Sequence, residues 1–231
     1  ARYLQEQGAK VAYLGRNQSK VDAVLEEAGK ISEHCLGVTT DVLDEDGLNR
    51  GYEKVMNEFG RVDALINGAG GNMPGATIGP DKEIFDLNID DYSQVMDLNL
   101  KGTVLPTLTF AKAFKGQGTG SVINFSSMSS GQALTRVLGY SNAKAAIDNF
   151  TRWMATEMAL KYGDGVRVNA VAPGPIAATE MFHNVFKEGD PKIDEIAQTI
   201  PMKRVGMPSD VARAVMFLAD EQNDFITGQT L

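Results

Sequence analysis

The chain has 231 residues, 43% of them hydrophobic and 23% charged, which is the composition of a folded globular protein. Its formal net charge of −8 argues against a nucleic-acid-binding surface, and no apolar run approaches the length of about 18 residues that a membrane-spanning helix needs. Cys35 is the only cysteine and there are only two histidines, so the chain offers neither an internal disulfide nor a set of zinc ligands. We therefore expect a cytoplasmic protein that binds no metal, no nucleic acid and no membrane.

Short apolar or β-branched segments alternate with longer amphipathic segments along the whole chain. The short segments predict strands, which fall at residues 10–14, 36–40, 64–67, 122–125 and 166–171. The longer segments predict helices, which fall at residues 18–28, 44–59, 91–113, 138–161 and 209–219. Asp44 is expected to cap the second of these helices, and Pro208 to stand at the start of the last. A loop rich in glycine and proline runs from the third strand to Pro80, and the region 176–201 is mixed and polar.

Strands that alternate with helices form right-handed βαβ units and a parallel sheet. The predicted fold is therefore α/β, a single-domain Rossmann-type doubly wound parallel sheet with helices on both faces, and no linker or repeat divides residues 1–231. Residues 1–8 are typical of the last turns of a helix that stops at Gly8, and residues 227–231 are typical of the start of a strand. We expect the chain to be truncated at both ends, with the first and last strands outside the printed residues.

Polar or glycine-rich residues follow each predicted strand. Because the carboxyl ends of parallel strands meet at one edge of the sheet, where ligands bind in such folds, we expect these clusters to form one site. They are residues 15–17, 41–42, 67–72, 126–131 and 172–176.

Tyr140 and Lys144 lie four residues apart in a predicted helix, and Tyr140 comes thirteen residues after Ser127. Residues spaced by four share a helix face, so the Lys144 ammonium is expected beside the Tyr140 ring. A free phenol has a pKa of about 10, and a neighbouring cation stabilises the phenolate and lowers that pKa. A tyrosine tuned in this way can give a proton to a carbonyl oxygen, or take one from a hydroxyl, while hydride moves at the carbon.

Taken together, these residues resemble the classical short-chain dehydrogenase/reductase family, and the resemblance covers the whole chain. Residues 67–70, Asn-Gly-Ala-Gly, resemble the family's Asn-Asn-Ala-Gly motif, and residues 173–174 resemble its Pro-Gly turn. The family's catalytic residues match Asn99, Ser127, Tyr140 and Lys144.

The resemblance implies a role for each of these four residues. Tyr140 would be the general acid in reduction and the base in oxidation, and Lys144 would lower its pKa and bond the nicotinamide ribose. Ser127 would donate to the carbonyl oxygen, where negative charge develops. Asn99 would hold a water through its backbone and so connect Lys144 to solvent. The hydride would be carried by the cofactor.

The chain departs from the family pattern at three places. The family's glycine-rich fingerprint, which cradles the pyrophosphate after the first strand, is absent from the printed residues. Gly68 replaces the second asparagine of Asn-Asn-Ala-Gly. Thr179 comes one residue later after Pro-Gly than in many members, whereas Ile176 keeps the place of a backbone contact to the cofactor.

The residues after the first predicted strand bear on the choice of cofactor. Members that prefer NAD tend to carry an acidic residue there, which bonds the ribose 2′-hydroxyl, whereas this chain has Gly15-Arg16-Asn17. A guanidinium binds a 2′-phosphate in a fork, so NADP(H) is favoured, with NAD(H) as the alternative. The resemblance implies cofactor contacts from Arg16, Asn17, Asp41, Val42, Asn67, Gly68, Ala69, Gly70, Tyr140, Lys144, Pro173, Gly174 and Ile176.

The loop of residues 70–77 bears on the substrate, because it resembles the branch of D-mannonate oxidoreductases, or fructuronate reductases. That resemblance implies a sugar acid, such as a keto-uronate reduced to an aldonate, with residues 176–201 as the substrate loop. A carboxylate calls for a nearby cation, which Arg136, Lys187 or His183 would supply. The residues expected to contact the substrate are Gly71, Asn72, Met128, Ser129, Arg136 and His183.

Two other functions stay open. A 3-oxoacyl thioester or dienoyl-CoA-type reductase would share the pattern at residues 173–176, although such ligands favour a basic rim. A cofactor-binding regulator without activity would usually have lost the tyrosine or the lysine, and this chain has both. By resemblance, residues 91–113 and 138–161 would also form four-helix interfaces, which give a homodimer or a homotetramer.

Overall fold

Five short strands carry the fold in a computed structural model that describes residues 1–134, 136–177, 179, 182 and 190–231. Each predicted strand is confirmed, with ends that move by no more than two residues. The strands are β1 (Val11–Gly15), β2 (Cys35–Thr39), β3 (Ala64–Asn67), β4 (Gly120–Phe125) and β5 (Val166–Val171).

Helices connect and flank these strands. They are α1 (Arg2–Glu6), α2 (Gln18–Gly29), α3 (Glu45–Phe59), α4 (Ile89–Met96), α5 (Gly102–Phe110), α6 (Lys112–Gln117), α7 (Leu138–Tyr162), α8 (Pro191–Thr199) and α9 (Pro208–Ala219). Asp44 stands at the N-cap of α3, although its side chain makes no capping hydrogen bond. The α8 helix was not predicted, and most of the region before it lies outside the described residues.

The prediction of one long helix over residues 91–113 is wrong. The helix begins earlier, because the Asn88 side chain accepts a hydrogen bond from the Asp91 N–H at 3.0 Å and caps α4. It is then interrupted by a π-helical turn at Asp97–Lys101. Within that turn the Asn99 side-chain amide donates to the Val95 carbonyl at 2.8 Å, the acceptor that a regular α-helix would give to the Asn99 backbone.

The described strands form two parallel sheets, β1-β2 and β3-β4-β5, which agrees with the predicted Rossmann-type fold and its expected missing first strand. No ladder joins β1 to β3 in the described part of the chain, and the family resemblance places its first strand at this point. At the other edge, the Leu231 N–H donates to the Ala170 carbonyl at 3.0 Å and Thr230 forms a parallel bridge with Ala170. The strand start predicted at residues 227–231 corresponds to an isolated parallel bridge at Thr230 and not to a strand.

Helices cover both faces of the β3-β4-β5 sheet, as predicted. One buried cluster includes Val122 of β4 and extends to Val38 of β2, so it packs the two sheets into a single core. The next residue of β4, Ile123, faces the opposite side and belongs to a second cluster with Leu218 of α9. Alternate residues of a strand point to opposite faces, which is why one strand serves both clusters.

The outer sides of α5 and α7 carry exposed apolar residues. Leu108, Trp153 and Leu160 are 52%, 57% and 77% exposed. Their exposure accords with the predicted helical interfaces between copies of the chain, which stay a prediction. Within the described ranges, no helix has the length and apolar character needed to cross a membrane.

Candidate active site

The α7 helix brings Tyr140 and Lys144 together, as their spacing indicates. The Lys144 ammonium nitrogen lies 5.3 Å from the centre of the Tyr140 ring. It also donates a hydrogen bond of 2.8 Å to the Phe125 carbonyl at the end of β4. The Lys144 side chain is buried, and this burial lowers its pKa from 10.5 to about 8, with the nearby Asp148 carboxylate acting in the opposite direction. A dehydrated ammonium is thus fixed beside the tyrosine.

Ser127 reaches Tyr140 from the turn that follows β4. Its hydroxyl caps the short helical turn Met128–Ser130 by accepting the Ser129 N–H at 3.2 Å, and it lies near enough to Tyr140 to act on the pKa of that phenol. The extended backbone of Ser127 at the end of a buried strand directs the side chain towards α7.

The expected lowering of the Tyr140 pKa is wrong for this structure. Burial raises the pKa of Tyr140 above its ordinary value of 10, and the neighbouring Ser127 side chain only partly opposes that effect. The physical reason is that burial removes water from the phenolate, and this loss outweighs the stabilisation that Lys144 was expected to supply. Tyr140 is consequently a protonated phenol at neutral pH, which suits a proton donor.

Asn99 ties the loop after β3 to the π-helical turn. Its side-chain oxygen accepts the Gly71 N–H at 3.2 Å, and its side-chain nitrogen donates to the Gly71 carbonyl at 2.7 Å. The Asn99 backbone carbonyl accepts the Thr103 hydroxyl at 2.8 Å. Its role in holding a water stays a prediction.

A buried network of hydrogen bonds connects β3 and β4 to α5 and α7. The Asn67 amide donates to the Thr107 hydroxyl and to the Asn124 side-chain oxygen, both at 2.8 Å. Asn124 is the register partner of Asn67, and its own amide donates to the Thr151 hydroxyl of α7 at 2.9 Å. The polar side chains of this network therefore hold one another in place, and they fix the distance between α7 and the sheet.

Asn124 and Thr151 were missed by the sequence analysis. The available signal was an asparagine inside the apolar run of β4, since a buried amide in a central strand needs partners from neighbouring elements. The Asn67 amide is engaged inside the molecule, and the expected contact of Asn67 with a cofactor stays a prediction.

The carboxyl ends of β1 and β2 present the remaining predicted residues. Arg16 is exposed, and Asn17 caps α2 by accepting the Lys20 N–H at 3.2 Å. The Asp41 carboxylate accepts the Leu43 N–H at 2.9 Å, and Val42 packs against Gly102, where a Cβ would lie 2.9 Å from the Val42 side chain. These residues line the same edge of the molecule as Tyr140.

Comparison with known proteins identifies this arrangement. A family model described as Enoyl-(Acyl carrier protein) reductase matches residues 1–231. "Uncharacterized oxidoreductase UxuB" of Bacillus subtilis is 38% identical over 244 residues, covering 100% of this chain and 86% of that protein. The chain belongs to the short-chain dehydrogenase/reductase family.

Solved structures agree with this assignment and with the Rossmann-like fold. A putative D-mannonate oxidoreductase from Haemophilus influenza with bound NAD superposes with a TM-score of 0.89 at 33% identity, covering 100% of this chain and 88% of that one. "ElxO with NADP Bound" superposes with a TM-score of 0.88 at 28% identity, covering 99% of this chain and 88% of that one. As a member of the short-chain dehydrogenase/reductase family, the protein is an NAD(P)-dependent oxidoreductase.

The described residues fit a nicotinamide dinucleotide at this edge. A Cβ built on Gly68 meets no atom within 4 Å, so a ligand can approach the backbone there. The turn after β5 closes the edge, because the Met128 N–H donates to the Pro173 carbonyl at 3.1 Å. Next to it, Ile176 forms a parallel bridge with Gly206, and the Thr179 hydroxyl donates to the Ile176 carbonyl at 3.2 Å.

The structure does not bring the predicted substrate residues together in one place. Ser129 and Arg136 line a cavity of about 690 Å³, whereas the Asn72 amide donates to the Thr77 hydroxyl at 2.8 Å within its own loop. His183 and Lys187 lie outside the described residues.

Gly70 is the glycine at which a side chain would disturb the site most directly. A Cβ there would lie 2.6 Å from the Asn99 side-chain oxygen and 3.5 Å from the Lys144 ammonium nitrogen. We predict that Gly70→Ala displaces Asn99 and lowers the free energy of unfolding by about 1–3 kcal/mol, measured by urea denaturation.

Gly68→Ala is the matched control for this prediction. Gly68 has open space around its Cβ position and no positive φ, so the same substitution should leave the urea midpoint nearly unchanged. Equal midpoints for the two variants would contradict the close approach of Gly70 to Asn99.

Proposed function

We propose that the protein interconverts the ketone and the secondary alcohol of a sugar acid, with Tyr140 as the residue that exchanges a proton with the substrate oxygen. The observation that carries the proposal is the buried Lys144 ammonium, which lies 5.3 Å from the centre of the Tyr140 ring, with Ser127 acting on the same phenol. A bound nicotinamide supplies or accepts the hydride. The chain's own residues hold the substrate oxygen and move its proton.

The protonation states favour proton donation by Tyr140. Because burial raises the pKa of Tyr140, the phenol keeps its proton until negative charge develops on the substrate oxygen. Ser127 donates a second hydrogen bond to that oxygen. Once Tyr140 has given its proton, the phenolate lies beside the Lys144 ammonium, which is charged below its pKa of about 8. Reduction should therefore slow as the pH rises above about 8.

The sugar-acid substrate is supported by similarity and by the lining of the cavity. The H. influenza structure is a putative D-mannonate oxidoreductase, and the match covers 100% of this chain and 88% of that one. The cavity wall includes Arg136, which offers a positive charge for a carboxylate.

A reductase of 3-oxoacyl thioesters is the second candidate function. Ile78, Ile84, Leu134 and Leu138 form part of the same cavity wall, and an acyl chain would pack against such side chains. The description of the matching family model, Enoyl-(Acyl carrier protein) reductase, points in the same direction.

NADP(H) is the cofactor that we favour. Arg16 follows β1 on the exposed edge and forms no ion pair with the described acidic residues, so its guanidinium is available for a 2′-phosphate. The solved relatives hold NADP in one case and NAD in the other, which leaves the preference to be measured.

We predict that the protein reduces D-fructuronate faster than 3-oxoacyl thioesters when both are followed by the loss of nicotinamide absorbance. Tyr140→Phe should lower kcat by about 10²–10⁴-fold, because the ring remains while the proton is lost. Tyr52→Phe, at a tyrosine that stacks edge-on against Phe110 in the core, is the control and should keep its activity. Turnover of thioesters alone would favour the second candidate, and full activity of Tyr140→Phe would contradict the mechanism.

For the cofactor, we predict a lower KM for NADPH than for NADH. Arg16→Gln should raise the KM for NADPH roughly tenfold, since a charged hydrogen bond to the phosphate is lost, and should leave the KM for NADH within about twofold. A strong preference of the unaltered protein for NADH would contradict this assignment of Arg16.

A further inference from the structure

The cavity of about 690 Å³ borders the residues that are proposed to handle the proton. Its lining includes Ser129, two residues after Ser127, and Ser141, which directly follows Tyr140. Other parts of the wall come from the loop after β3, at Ile78 and Ile84. A space of this size accommodates a ligand of six carbons with room for movement.

Arg136 is the only charged side chain among the described residues that line this cavity. The chain as a whole carries a net charge of −8, yet none of the described acidic side chains forms an ion pair with Arg136. Arg136 is exposed, so an incoming anion can reach its guanidinium. Its planar fork also matches the two oxygens of a carboxylate.

The backbone of Arg136 is held in a conformation that few side-chain-bearing residues adopt. Its φ is 77°, and within the described ranges the other non-glycine residue with a positive φ is Lys203. The Ile78 N–H donates to the Arg136 carbonyl at 2.9 Å and so anchors this conformation to the opposite wall of the cavity. Such strain persists where the surroundings fix it, and it is concentrated at ligand-binding sites.

Two hydroxyl groups of the wall are still without a partner. The side-chain oxygens of Ser129 and Ser141 are buried and make no hydrogen bond to any described residue. Buried hydroxyls in folded proteins are nearly always paired, so these two call for an explanation. Both oxygens are shielded from solvent, so a ligand with several hydroxyl groups would provide the missing partners once the wall opens to admit it.

From these observations we infer that the cavity contains an anion-binding subsite, in which Arg136 binds the carboxylate of a polyhydroxylated acid while Ser129 and Ser141 engage its hydroxyl groups. The inference rests on the proposed function and deepens it, because it assigns the residues that distinguish a sugar acid from a neutral sugar or an acyl chain. Ile78 and Leu134 are apolar parts of the same wall and leave Arg136 as its charged group.

The test compares D-fructuronate with its amide, which has the same shape and no charge. Arg136→Asn keeps a residue that tolerates a positive φ and removes the guanidinium. We expect it to raise the KM for D-fructuronate roughly ten- to hundredfold and to leave the KM for the amide within about twofold. Arg136→Lys should recover part of the loss, because it restores the charge without the fork.

Arg61→Gln is the charge-matched control. Arg61 pairs with Asp63 at the opposite end of β3, so its removal should change neither KM. An equal rise of both KM values in Arg136→Asn, or no rise in either, would overturn the subsite.

A second measurement separates this inference from the proposed function and needs no variant. D-gluconate and D-gluconamide are titrated calorimetrically into the unaltered protein in the presence of NADP⁺. At least tenfold tighter binding of gluconate supports the subsite, and equal binding overturns it. If D-fructuronate and its amide are both left unreduced, the proposed substrate class fails, and this titration alone decides whether the subsite exists.

Discussion

The burial of the Lys144 ammonium is the constraint on which the site depends. An ammonium that is removed from water needs partners, and in this fold they are the Phe125 carbonyl, the Tyr140 ring and the Asp148 carboxylate. The first of these lies at the end of β4 and the other two lie on α7, so β4 and α7 must pack at a fixed distance from each other. The Asn124 amide, which donates to the Thr151 hydroxyl, maintains that distance from within the core.

This arrangement lowers stability at the pH where the protein would work. A Lys144 pKa lowered from 10.5 to about 8 corresponds to roughly 3 kcal/mol of unfavourable free energy for the charged form. Below pH 8 the folded chain carries the full cost. Between pH 8 and 10.5 the folded chain releases the proton while the unfolded chain retains it, so stability rises with pH in that interval. A buried charge that is held next to a proton donor at a desolvation cost is what an electrostatic role in catalysis requires.

Patterns of spacing predicted the strands and the meeting of Tyr140 with Lys144, because both follow from local periodicity. The direction of the Tyr140 pKa shift could not be predicted in this way, since it depends on how deeply the fold buries the phenol. The π-helical turn around Asn99 was also missed. It depends on the Asn99 side chain bonding the Val95 carbonyl, and that bond does not change the spacing of apolar residues in the sequence. Asn124 acts through residues far away in the sequence, and only the register of β3 against β4 reveals its partners.

The most direct test of this account is the titration of Lys144 itself, followed by NMR of protein with isotope-labelled lysine side chains. The Lys144 signal can be assigned by its absence from the spectrum of Lys144→Arg. A buried ammonium should titrate with a midpoint of about 8, far below the other lysines. A midpoint near 10.5 would show that the ammonium is solvated, and it would contradict the claim that burial of Lys144 organises the site.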